Sequence, residues 1–119
     1  MTDEGTERLV RQAIGGNGIA QARIGAQVEL TDDPLLLVMA ALLAGRSDGR
    51  ILLKRAAAIA SFREDRQLVA IARAHLDGDR ELVDALARDH LVDFPHSLVV
   101  AWVASGGDVG SGDAAARTV

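Results

Sequence analysis

The residues best suited to chemistry are concentrated in one stretch, HLDGDRELVDALARDHLVDFPH, which runs from His75 to His96. It contains all three histidines of the chain, interleaved with five aspartates: Asp77, Asp79, Asp84, Asp89 and Asp93. Histidine and aspartate at short spacing are typical metal ligands and acid–base partners. Whether these side chains can act together depends on the elements that carry them.

The helical periodicity of this stretch separates its histidines. Apolar residues recur every three or four positions on both sides of the DGD turn, which predicts two amphipathic helices in an antiparallel hairpin. His75 falls near the end of the first helix and His90 near the end of the second, so they would lie roughly 15 Å apart. We therefore interpret the histidines as structural. The alternative is a metal-binding cluster in residues 89–96, formed by Asp89, His90, Asp93 and His96.

Composition excludes several classes of function. The chain has 119 residues, 49% hydrophobic and 25% charged, which is typical of one globular domain. Aromatic residues make up 3% of the chain, too few for a surface that stacks bases or sugars. The absence of cysteine excludes disulfides and thiolate chemistry and favours a cytoplasmic location. Without a visible Ser–His–Asp arrangement or phosphate loop, we expect no catalysis and no cofactor.

The pattern is helical from end to end and predicts an all-α fold of about seven helices in antiparallel hairpins. Residues 1–104 would form a single domain, and the Gly-rich tail 105–119 would be disordered. Thr2, Asp33 and Ser97 are predicted N-caps, and GRSDG at 45–49 is a predicted turn. The predicted helices are Asp3–Ile14, Ile19–Leu30, Pro34–Ala44, Arg50–Ser61, Glu64–Leu76, Arg80–Val92 and Leu98–Ala104.

Residues 64–97 resemble one tetratricopeptide unit, whose repeat is about 34 residues long. Gly78 and Asp79 stand at the family's turn, and Leu91 and Pro95 at its leucine and closing proline. Trp102 lies close to the tryptophan position of a following unit. The departures from the family pattern are Ile71, Ala74, Val83 and His90. The resemblance implies a right-handed helical array and a protein-interaction scaffold, with no ligand contacts carried over.

The stretch 46–66 is basic, while 77–93 is acidic. Pairing of arginines and aspartates between neighbouring hairpins explains this polarity most simply, and head-to-tail association of two copies is a second reading. A third is a helix-turn-helix regulator that binds nucleic acid, although the second helix of the stretch is aliphatic, which makes nucleic acid an unfavoured partner. The basic residues are Arg46, Arg50, Lys54, Arg55, Arg63 and Arg66.

Two helices, 35–44 and 98–104, are apolar on all sides, and neither is long enough to cross a membrane. The first is expected at the centre of the core. The second would either pack back on the array or meet a partner. The sequence thus favours a small protein–protein interaction module or adaptor, with a protein partner or a homodimer. The candidate interface residues are Val99, Val100, Trp102, Val103, Arg50 and Lys54.

Overall fold

A computed structural model describes residues 4–106, and within this range it contains seven α-helices and no strand. The all-α prediction is confirmed, while residues 107–119 of the predicted tail and the predicted cap Thr2 lie outside the described residues. Most helix ends fall within two residues of their predicted positions, but α2 ends three residues early and α4 begins four residues early. The helices are α1 Glu4–Ile14, α2 Gly18–Gln27, α3 Pro34–Ala44, α4 Arg46–Ile59, α5 Arg63–Leu76, α6 Arg80–Asp93 and α7 Leu98–Ala104.

Side-chain caps define where three of the helices begin. Asn17, Asp33 and Asp79 each accept a hydrogen bond, at 3.0–3.1 Å, from a backbone N–H of the first turn that follows. These caps satisfy backbone donors that a helix leaves without partners, and Pro34 at the start of α3 needs no such partner. The predicted cap Asp33 is thereby confirmed. Ser97 occupies the predicted N-cap position of α7, but its side chain makes no capping hydrogen bond.

The α3–α4 junction differs from its predicted form. A single residue, Gly45, separates the two helices, and its φ of 92° is one that glycine adopts readily. The GRSDG stretch is therefore not a turn, because α4 begins at Arg46. Gly49 is a packing residue instead: a Cβ there would lie 2.6 Å from the carbonyl oxygen of Ala41 and 2.8 Å from a methyl carbon of Leu76. Its missing side chain lets α4 approach α3 and α5.

The apolar helix α3 is the centre of the domain. Six consecutive residues, 36–41, are buried, and the helix contacts α1, α2, α4 and α5. A helix covered on several sides can be apolar all round, as the sequence predicts. Every other helix also contributes buried apolar side chains to the same core.

The second apolar helix, α7, packs against α1, α5 and α6. Val99, Val100, Trp102 and Val103 are all buried within the single chain, and Trp102 is 7% exposed. Of the two predicted roles for this helix, core packing is therefore the one observed. The four side chains are not available as an interface on the surface of this chain, because neighbouring helices already cover them.

Three arginines connect helices through backbone carbonyls. Arg46 donates to the carbonyl of the last residue of α5 at 2.9 Å. Arg55 donates to two carbonyls between α2 and α3, at 3.0 and 3.2 Å. Arg80 donates to the last two carbonyls of α7, one of them at 3.1 Å. Since helix C-termini leave carbonyls unpaired and carry partial negative charge, Arg46 and Arg80 each stabilise the end of a helix distant in sequence, whereas Arg55 connects α4 to the segment between α2 and α3.

None of the helices in the described range is both long and apolar enough to span a membrane.

Candidate functional site

A cavity of about 420 Å³ opens beside His90, and we call it the His90 cleft. Its volume lies within the range of pockets that hold small ligands or single side chains. Helices α1, α3, α5 and α6 line it, together with the start of α7. Its apolar walls are Val10, Leu35, Leu68, Leu98 and Val99. An apolar stem that enters the cleft would therefore be removed from water.

The polar lining of the cleft is predominantly acidic. Three carboxylates, those of Glu7, Glu64 and Asp65, face one guanidinium, that of Arg11. The remaining polar groups are Ser97 and the two histidines, His90 and His96. The formal charge of the lining is negative when both imidazoles are neutral, so the cleft favours a cation over an anion.

His90 is the one buried polar residue within residues 4–106, with 1% of its surface exposed. Its Nδ1 lies 2.8 Å from the side-chain oxygen of Gln67 on α5. Because that oxygen can only accept, Nδ1 carries the proton and Nε2 of the neutral ring is left as an acceptor. No residue in the described range hydrogen-bonds to Nε2, and the atom is buried. An unpaired buried acceptor costs about 1–3 kcal/mol, so a donor that displaced the groups covering Nε2 would be stabilising.

The surroundings of His90 keep its imidazole neutral. Burial lowers the pKa of His90, the nearby guanidinium of Arg63 lowers it further, and only Asp93 acts in the opposite direction. Asp93 is itself paired with Arg63 at 3.0 Å. The Phe94 ring lies 4.9 Å from the imidazole between centroids, and the Arg63 guanidinium lies 5.4 Å from that ring centre. This cluster closes one side of the imidazole and supplies it with no hydrogen-bond donor.

The two carboxylates that α5 contributes to the cleft are held under unfavourable electrostatic conditions. Burial raises the pKa of Glu64, and the neighbouring carboxylates of Asp65 and Glu7 raise it further. Burial also raises the pKa of Asp65, with the charge of Asp33 adding to the effect. Negative charges crowded in this way gain stability from any cation that comes between them.

The three histidines belong to two separate places, as the hairpin argument predicts. His90 and His96 line the cleft. His75 instead lines a second cavity of about 370 Å³, together with Arg80 and Val83. Among residues 4–106, no three histidine, aspartate or glutamate side chains are grouped so that they could hold a metal ion. The metal-binding alternative for residues 89–96 therefore finds no support in this part of the chain.

The basic stretch 46–66 does not form a free cationic face. Arg50 pairs with Asp77, and Arg63 pairs with Asp93, so arginines and acids of different helices do meet. Arg66 donates to the carbonyl of Ser61 at 2.8 Å, while Arg46 and Arg55 bind carbonyls of other helices. Lys54 is exposed on α4. Most of the guanidiniums that a nucleic-acid reader would use are thus engaged within the chain.

Sequence reasoning identified His90 and His96 but missed the other polar residues of the cleft. Glu64 and Asp65 stand in the first turn of α5, where acidic residues are common because they stabilise a helix N-terminus. Glu7 and Arg11 are exposed residues of α1. These residues become neighbours only because α1 and α5 both pack against α3 and α7, and no spacing within the sequence indicates it.

Comparison of the chain with protein-family models, with curated proteins and with solved structures finds no match in any of the three.

Proposed function

We propose that the protein is a small interaction module that binds a segment of a partner protein in the His90 cleft. The observation that carries the proposal is the combination of apolar walls with a buried acceptor, Nε2 of His90, that has no hydrogen-bond partner among the described residues. Such a group is stabilised when a ligand supplies the missing donor. The cleft offers apolar contact for affinity and a few polar groups for specificity, as binding pockets commonly do.

A binding role accounts for the site better than a catalytic one. General-base catalysis needs an imidazole with a nucleophile in hydrogen-bond reach. Within residues 4–106 no side-chain hydroxyl hydrogen-bonds to Nε2 of His90. Gln67 holds the ring in one orientation, which suits recognition of a fixed donor position. We therefore propose a non-enzymatic function.

The helical arrangement supports an interaction scaffold, and we propose that its second half is tetratricopeptide-like. The α5–α6 turn contains Gly78 and Asp79 at the expected positions, and α6 ends at Asp93, before Pro95. Helix α3 contacts α5 as well as α4, and a contact between alternate helices of this kind is what a stack of hairpins requires. Since the chain contains no cysteine, we propose that it functions in the reducing cytoplasm.

This function can be tested with peptides selected from a random phage-displayed library. The affinity of each peptide for the wild-type chain is compared with its affinity for a variant in which a large side chain fills the cleft. Leu98→Trp places a large ring at the rim of the cleft, where Leu98 is 37% exposed. Leu82→Trp is the matched control, because Leu82 is 44% exposed on α6 and does not line the cleft. His96→Trp, at an exposed position on the same cleft, replaces Leu98→Trp if thermal melts show that the latter is unfolded.

Selected peptides should bind the wild-type chain and Leu82→Trp with equal affinity and should lose most of their affinity for Leu98→Trp. Peptides that bind all three proteins equally, or a selection that enriches no sequence, would overturn the proposal. Self-association is examined by sedimentation in parallel, with Lys54→Gln as the variant, because Lys54 is the only lysine of the chain. If the protein is a dimer and this substitution dissociates it, the partner would be a second copy of the chain and not a different protein.

A further inference from the structure

We propose that the His90 cleft recognises an aliphatic primary ammonium, the side chain of a lysine in the partner protein. Nε2 of His90 would accept one hydrogen bond from this group, and the carboxylates of Glu64 and Asp65 would balance its charge. The inference rests on the proposed function and adds the chemistry of the anchoring residue.

The hydrogen-bonding capacity of His90 determines that the ligand must be a donor. Gln67 takes the proton-bearing Nδ1, and the buried Nε2 of the neutral ring can only accept. A carbonyl, a carboxylate or a phosphate would place a second acceptor against the first and be repelled. Hydroxyl, amide N–H and ammonium groups can each donate the hydrogen bond that Nε2 lacks.

The charge of the lining selects a cation among these donors. Glu7, Glu64 and Asp65 carry three carboxylates against the single guanidinium of Arg11. Glu64 and Asp65 have a raised pKa because they are partly buried beside other carboxylates, and a cation between them would reverse that destabilisation. A neutral hydroxyl or amide would leave the carboxylates uncompensated.

The shape and walls of the cleft favour lysine over arginine. The apolar lining residues, which include Val10, Leu68 and Val99, can cover a methylene stem while the charged head meets the polar lining. An ammonium can give one hydrogen bond to a single acceptor such as Nε2 of His90, while its remaining donors stay free for other groups of the cleft. A guanidinium is planar and binds best to one carboxylate edge through two parallel hydrogen bonds, an arrangement that Nε2 of His90 cannot provide.

Direct binding is measured by titrating the full-length protein with pentylammonium and, separately, with pentanol, which has the same carbon chain but no charge. Long-range ¹H–¹⁵N correlation spectra report the imidazole nitrogens of His90, and amide spectra map the remainder of the cleft. Pentylammonium should shift the Nε2 resonance of His90 and the amides of α5 and α7 that border the cleft. An equal response to pentanol, or an unchanged Nε2 resonance at saturation, would overturn the proposal.

The carboxylates are tested with the double substitution Glu64→Gln and Asp65→Asn. Pentylammonium should bind this protein about tenfold more weakly, because the compensating charges are gone. The matched control is Glu81→Gln with Asp89→Asn, which removes the same charge from exposed positions of α6 outside the cleft. Equal loss of affinity in both proteins would indicate a long-range charge effect and would contradict a specific site.

The peptides selected in the phage-display experiment answer two separate questions. They test whether the ammonium belongs to a protein, and they test whether the cleft binds a protein segment at all. Acetylation of their lysine should abolish binding in the cleft. Peptides that bind wild type but not Leu98→Trp, and do so equally well after acetylation, would sustain the proposed function and refute the ammonium. Free 1,5-diaminopentane that binds more tightly than the lysine peptides would refute a protein-borne lysine.

Discussion

Nδ1 of His90 on α6 lies 2.8 Å from the side-chain oxygen of Gln67 on α5, which holds the buried imidazole in a single neutral tautomer. This contact joins α5 to α6. It also determines which nitrogen is left for the cleft. One polar pair therefore connects two helices and, in the proposed function, also determines which ring nitrogen would meet a ligand.

The first prediction concerns the pH dependence of stability. Burial and Arg63 lower the pKa of His90 below the ordinary value of 6.5, so on acidification the unfolded chain takes up this proton before the folded chain does. Stability should be complete above pH 6.5 and should fall as the pH drops below it. Urea unfolding followed by circular dichroism at pH 7.5 and pH 5.5 measures the effect.

His90→Gln should abolish the part of this pH dependence that the imidazole causes, whatever its effect on stability at neutral pH. His96→Gln, at an exposed position on the same cleft, should leave it intact. The raised pKa values of Glu64 and Asp65 act in the opposite sense, since the folded chain then takes up their protons first. Their effect develops at lower pH, near and above the ordinary values of 4.5 and 3.8.

The second prediction is that Gly49→Ala destabilises the protein although alanine is the better helix former. The new methyl group would lie 2.6 Å from the carbonyl oxygen of Ala41, and backbone cannot move aside as a flexible side chain can. Such overpacking costs about 1–3 kcal/mol. Gly25→Ala in α2 is the control, because its Cβ would meet nothing within 4 Å and should raise stability by about 0.5–1 kcal/mol. Equal effects of the two substitutions in urea unfolding would contradict the packing role of Gly49.

The third prediction concerns the arginines that bind helix ends. Arg80→Ala removes the donors to the last carbonyls of α7, and it also removes the 3.4 Å ion pair with Asp84. The loss of stability should be about 1 kcal/mol, moderated by the partial exposure of the side chain. Arg88→Ala, at an exposed position of the same helix, should change stability by less than about 0.5 kcal/mol. Thermal melts of the two variants under identical conditions give the comparison.

The fourth prediction distinguishes core packing from an interface for α7. Because Trp102 is buried within one chain, its fluorescence should be blue-shifted and poorly quenched by acrylamide at every protein concentration. As the only tryptophan, it reports without interference. Quenching that increases on dilution would show that a second copy, and not the chain itself, covers the indole.

The fifth prediction concerns nucleic acid. Because Arg46, Arg55 and Arg66 donate to backbone carbonyls and Arg50 pairs with Asp77, the protein should not be retained on heparin or duplex DNA even at low salt. Retention that weakens steeply with salt would restore the helix-turn-helix reading. Lys54→Gln would then test whether the exposed lysine takes part.

Local features of the chain were predictable because their causes are local. Asp33 and Pro34 mark the start of α3, and Gly45 marks its end, since caps and breaks act within one turn of helix. The same reasoning failed at Gly49. A glycine that ends a helix and one that lets two helices approach are identical in sequence, and only the neighbouring Ala41 and Leu76 tell them apart.

The sequence alone determined the number of helices and most of their ends, the position of the central helix α3 and the separation of His75 from His90. These follow from periodicity, caps and apolar content, which depend on residues a few positions apart. The tertiary structure decided that α7 is buried, that two arginines stabilise the ends of distant helices, and that Glu7, Glu64 and His90 line one cleft. Contacts between distant segments depend on how whole helix surfaces pack together. This packing cannot be read from a local pattern of residues, because it involves side chains that are far apart in the sequence.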